Sequence, residues 1–132
     1  MVDALRAARR ALRPRGLLVD ARPDSRVLAR VVHDGRTVGR VATQRGELAD
    51  DRASDRAVAT VKRERLFRCV RAGRFWHRLE FADRAELETY LVEHLRFEHR
   101  VRWIASPRAR RSWRDDPFAL LRAVRYEVLE RR

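Results

Sequence analysis

Leu12-Arg13-Pro14-Arg15-Gly16-Leu17-Leu18-Val19-Asp20-Ala21 decides the fold. Leu5, Ala8 and Leu12 recur at helical spacing, with Arg6, Arg9, Arg10 and Arg13 outside that stripe, so a helix is predicted from Val2 to Arg13. Pro14 disfavours helix in the residue before it and stops the run. Gly16 frees the chain to turn. Leu17 to Ala21 is then a continuous apolar run without alternation. That pattern predicts a strand covered on both faces, as in a parallel sheet. Arg22-Pro23-Asp24 closes it.

Working outward, Arg26 to Val32 and Thr37 to Thr43 read as two arms of a hairpin around His33-Asp34-Gly35-Arg36. Asp-Gly between β-branched runs suits a turn whose central residues both need positive φ. Gln44 to Ala49 reads as loop. A second helix is predicted from about Asp51 to Ala72, capped by Asp50 or Asp51, with Ala57, Val58, Val61, Leu66, Cys69 and Val70 on its apolar face and Gly73 as its C-terminal cap. Arg74 to Phe81 alternates as a strand. Asp83-Arg84-Ala85-Glu86 opens a third helix, reaching about Phe97. Arg100 to Ile104 is ambiguous and allows a short strand; Ser106 to Trp113 allows a short helix. Leu121 to Arg132 reads as a last strand, although Leu121, Val124, Val128 and Leu129 also fit a helical face.

The 132 residues fit one domain, with no repeat, low-complexity tract or long linker. No apolar run approaches the length needed to span a bilayer, and the N-terminus lacks the apolar core of a secretory signal. A cytoplasmic protein with no membrane partner is expected. Cys69 is the only cysteine, which excludes an internal disulfide and a cysteine-rich metal site and suits a small buried side chain. The net charge is +13, and 31 of the 32 basic residues are Arg, Lys62 being the exception. Such charge raises affinity for nucleic acid. Arg is spread along the whole chain, however, and codon bias in a GC-rich genome gives the same excess without a ligand.

The segment from Ala4 to Asp20 is similar to a recurring stretch of class I S-adenosylmethionine-dependent methyltransferases: a helix, then Leu-(Arg/Lys)-Pro-Gly-Gly, then an apolar strand. Here Leu12-Arg13-Pro14-Arg15-Gly16 departs at Arg15, where the family usually has glycine. The resemblance implies the fourth crossover helix and fifth strand of a doubly wound sheet. It implies an α/β fold with a mixed sheet, the second half of that fold, with the Asp34-Gly35 hairpin as an insertion. The Asp51 helix, the Phe75 strand and the Leu121 strand take the places of the family's later helix and closing strands. Half such a sheet leaves the fifth strand without its usual neighbour, so a homodimer or a complementary subunit is expected.

The family binds S-adenosylmethionine with a glycine-rich turn after its first strand and an acidic residue ending its second. Both belong upstream of this segment. The 5 glycines (16, 35, 39, 46 and 73) include no Gly-x-Gly pair. No cofactor is expected to bind this chain alone, and it is expected to be inactive alone. A truncated gene, a misplaced start or a half-domain with another use are the three accounts.

Few other residues suggest chemistry. The four histidines (His33, His77, His94 and His99) form no metal-binding pattern, and no serine sits in a nucleophile elbow. His33 reads as a turn residue and His77 as facing the interior or a cleft. Ligands of open α/β sheets bind beyond the carboxyl ends of strands, which makes Asp20, Arg22 and Asp24 candidate ligand-edge residues; solvated loop charges are the competing reading. Arg108, Arg110, Arg111, Trp113 and Arg114 form the densest basic-aromatic cluster, able to grip phosphate and stack a base. An exposed amphipathic segment is the competing account.

Overall fold

The computed structural model describes residues 1–132, which form a six-stranded sheet and four helices. The order is α1 (Val2–Ala11), β1 (Leu17–Pro23), β2 (Ala29–His33), β3 (Arg36–Val41), α2 (Arg45–Arg63), β4 (Phe67–Phe81), α3 (Arg84–Glu93), β5 (Val101–Trp103), α4 (Pro107–Ser112) and β6 (Phe118–Arg131). No helix is long and apolar enough to cross a membrane.

β6 is the axis of the sheet. β4 pairs along one of its edges, from Phe67↔Arg131 to Phe81↔Phe118. Two strands share its other edge: β1 pairs with Val124–Glu130, and β2 with Ala119–Leu121. β3 extends β2, and β5 extends β3. The α/β class holds, but the sheet is not mixed: every pairing is antiparallel. β1 and β4 run in the same direction because both oppose β6, which returns from the end of the chain to lie between them.

Two apolar cores sit on β6. Phe118 and Leu120 pack with Val31, Val38 and Val41 of the hairpin, Phe81, and Leu87 and Leu91 of α3. Leu129 packs with Leu5 of α1, Ala57, Val58 and Val61 of α2, and Phe67, with Leu18 alongside. β1 belongs to the second core on one face only. Its residues alternate between exposed and half-buried, so the coverage on both faces expected of it is absent.

The local signals mostly act as their chemistry dictates. α1 ends before Pro14. Asp34 and Gly35 take φ of 47° and 70°, as the hairpin turn requires. Asp83 caps α3 by accepting from the Glu86 N–H at 2.9 Å. The largest departure is α2. It begins six residues before Asp51, where the Glu47 carboxylate accepts from the Gln44 N–H at 2.9 Å. It ends at Arg63, and Arg65 at φ 57° turns the chain. Leu66 lies in that turn, while Cys69, Val70 and Gly73 belong to β4, which pairs with the whole of β6 except at Val70, the extra residue of a bulge between Cys69 and Arg71. A long ladder outweighs helical periodicity there. Gly73 caps nothing: a Cβ on it would lie 2.8 Å from Tyr126 Oη. Cys69 is exposed rather than buried, and its thiol donates to the Arg71 carbonyl at 3.3 Å. α3 stops at Glu93, four residues short of Phe97.

Candidate functional site

The odd-numbered residues of β1 form one face of the strand, opposite to Leu18 in the core. Leu17 is 56% exposed and Val19 62%. Cross-strand partners share a face, so Leu17, Val19 and Ala21 lie beside Glu130, Val128 and Tyr126. Arg71, Gly73 and Phe75 of β4 continue that face beside Val128, Tyr126 and Val124. The Tyr126 ring lies over Gly73 and against Phe75, at 6.3 Å between centroids. Phe75 is 48% exposed. The result is a three-stranded, largely apolar face with α1 and α2 packed on its reverse.

The outer edge of β1 is also open. Gly16 O accepts from the Arg131 N–H and the Asp24 N–H donates to Ala123 O, both at 2.8 Å. Even-numbered residues therefore point their backbone groups at β6. Leu17, Val19 and Ala21 point theirs outward, where no strand pairs. Pro23 has no N–H to offer and suits an edge.

Asp20 lies at the middle of β1, Arg22 near its carboxyl end and Asp24 just beyond it, because the strand runs on to Pro23 rather than stopping at Ala21. An ion network ties them to neighbouring elements. Asp20 Oδ2 is 2.9 Å from Arg22 Nη2, and Arg22 reaches Asp55 of α2 at 3.3 Å. Arg125 of β6 bonds the same Asp55. The Asp24 side chain is fully buried and accepts from Arg26 Nε at 3.0 Å and Arg74 Nη2 at 2.6 Å. Burial pushes its carboxyl up, but the bonds from Arg26 and Arg74 outweigh that and hold it below its ordinary value. Asp55 behaves the same way: burial raises it, and the Arg125 bond with nearby arginine charge brings it below. Beside this network opens a cleft of about 340 Å³, lined by Arg22, Pro23, Glu47, Asp51, His94 and Arg122 among others.

His99 is the functional type of residue whose placement sequence did not anticipate. It is buried, with Nδ1 3.1 Å from Ala42 O and Nε2 3.1 Å from Glu47 Oε1. Both ring nitrogens face acceptors. No spacing in the sequence joins positions 42, 47 and 99. His33 ends β2 and lies 2.9 Å from Asp116 Oδ2. His77 lies exposed on β4 instead of facing the interior.

In the basic-aromatic cluster, Arg108, Arg111 and Arg114 are exposed and pair with no carboxylate. Arg110 lies 5.7 Å over the Trp103 ring. Trp113 is half-buried and stacks on His33 at 4.4 Å, so one ring face is already occupied. The glycines serve scattered roles: Gly16 and Gly35 in separate turns, Gly39 against Val101, Gly46 under Phe97 and Gly73 under Tyr126. No two of them lie in the same turn.

The chain matches no protein-family model, no curated protein and no solved structure.

Proposed function

We propose that these 132 residues are the C-terminal half of a class I methyltransferase-like fold, cytoplasmic, without a cofactor site of its own, and catalytically silent unless a complementary segment supplies the S-adenosylmethionine loop. The observation that carries this reading is the turn between α1 and β1. Arg15, standing where the family usually has glycine, takes φ 61°, the left-handed conformation that glycine adopts without strain. Around it the helix, the proline stop and the apolar strand follow in the family's order. α2 then precedes β4 and β6, an antiparallel pair like the family's closing strands. The open edge of β1 supports the reading further, since a fifth strand in a doubly wound sheet has a neighbour there.

Calorimetry with S-adenosylmethionine tests it. The chain alone is expected to give no binding heat up to about millimolar cofactor; dissociation constants of typical tight sites lie far below that. Micromolar binding would sink the inactive-half claim.

A second reading is favoured by the three free arginines of the Arg108–Arg114 cluster: a nucleic-acid contact, chiefly through phosphate. A gel shift at physiological salt decides it. No retardation at high micromolar protein removes that reading.

A further inference from the structure

We infer that the open edge of β1 and the bare face around Val19 form one docking surface, and that its occupant is an acidic strand–helix unit rather than a second copy of this chain. This inference rests on the reading of the chain as half of an α/β fold and names the chemistry of what completes it.

The edge and the face make separate demands. The edge offers the outward N–H groups of Leu17, Val19 and Ala21 to a strand. The face exposes Leu17, Val19 and Phe75 to water and asks for an apolar layer. A second copy meets only one demand at a time. Antiparallel pairing of two β1 edges about a two-fold axis places α1 and α2 of both copies on the same side. That joins the two bare faces into a larger one and covers neither. Stacking the bare faces covers them but leaves both edges open and sets Arg71 of each copy near the other's apolar face. A strand followed by a helix meets both demands, because the strand extends the sheet and its helix packs back onto one face.

Charge sets the partner's character. Arg71 is exposed on the bare face beside Val128 and makes no ion pair. Arg15 stands at the start of β1, 84% exposed, with only a 3.8 Å approach to Glu130. The chain carries +13 overall, so two copies repel while an acidic partner is drawn in. The helix that fits has an apolar stripe for Val19, Val128 and Tyr126, flanked by carboxylates for Arg15 and Arg71.

The test uses a synthetic peptide of about 30 residues, the size of a strand–helix unit: a Val/Thr strand, a glycine turn, and a helix with leucines on one face flanked by glutamates. Controls are the same peptide with lysines for glutamates, and the strand and helix alone. Calorimetry against the full chain is expected to show one-to-one binding at least tenfold tighter than any control. Val19→Glu abolishes it, and Arg71→Glu reverses the preference toward the lysine peptide. Equal affinity for all four peptides, or no binding, overturns the inference. So does sedimentation showing a dimer of the chain that Val19→Glu dissociates, since a second copy would then own the surface. The peptide contains no cofactor loop. Failure of the methyltransferase reading therefore appears separately, as S-adenosylmethionine binding by the chain alone.

Discussion

Replacing Asp24 with asparagine removes a buried charge on which two arginines converge. Arg26 Nε and Arg74 Nη2 reach the carboxylate at 3.0 and 2.6 Å, and the Arg26 N–H adds a third bond at 3.3 Å. Breaking a fully buried ion pair costs about 3–5 kcal/mol. Here both guanidinium groups are more than half exposed, so water recovers their charge once the partner is lost. Asparagine also keeps the shape and one acceptor oxygen. The cost therefore falls to about 2 kcal/mol, in the range of hydrogen bonds to charged groups. Unfolding entropy of about 2.1 cal/mol/K per residue gives roughly 280 cal/mol/K for this chain, so Tm drops by about 7 °C. The folded carboxyl sits below its ordinary 3.8. Its stabilisation is complete above that value and is lost as pH falls through the depressed folded value. The wild-type advantage should thus persist at neutral pH and shrink below about pH 4. Thermal melts followed by circular dichroism read both. A Tm drop under about 2 °C at neutral pH, or an equal drop in strong acid, refutes the reasoning.

Three further perturbations follow from single residues. Arg15→Gly relieves left-handed strain of about 1–2 kcal/mol and loses about 0.4–1 through the freer unfolded chain. The exposed approach to Glu130 is worth little. Melts should show a gain of about 2–4 °C, and a loss contradicts the strain argument. Gly73→Ala drives a Cβ into the Tyr126 ring carbons at 2.9 Å and should cost about 1–3 kcal/mol in urea unfolding. A neutral result would mean that the ring moves freely aside. Although Cys69 is exposed as a residue, partial desolvation of its sulfur, followed by the Glu127 bond and charge, pushes its thiol up. It should label more slowly than a free thiol at neutral pH, and Glu127→Gln should speed labelling; an unchanged rate removes Glu127 as a cause.

The elements legible in the sequence were those fixed by local chemistry. Pro14 and the Asp34-Gly35 pair act within a few residues of themselves, and the structure follows them closely. The same holds for the Asp83 cap. What the sequence hid was decided across the chain. Cys69 and Val70 complete a convincing helical face with Val58 and Val61, yet β6, more than fifty residues later, draws them into a strand. The apolar run of β1 suggested two covered faces, and only one is covered here. Run length and polarity do not say which layer is present. Of the candidate ligand-edge residues, only Arg22 and Asp24 flank the end of β1; Asp20 sits mid-strand, because the strand runs two residues past the apolar stretch. Their ties to Arg74, Arg125 and Asp55 depend on strand order, which no local pattern encodes. His99 was invisible for the same reason.

No strand pairs with the outer edge of β1. Amide hydrogen exchange by NMR on the chain alone tests this residue by residue. The prediction is alternation: Leu18, Asp20 and Arg22, bonded to β6, exchange slowly, while Leu17, Val19 and Ala21 exchange at rates near those of exposed amides. Uniform protection along Leu17 to Arg22 would mean that a strand already covers that edge, and would contradict the account.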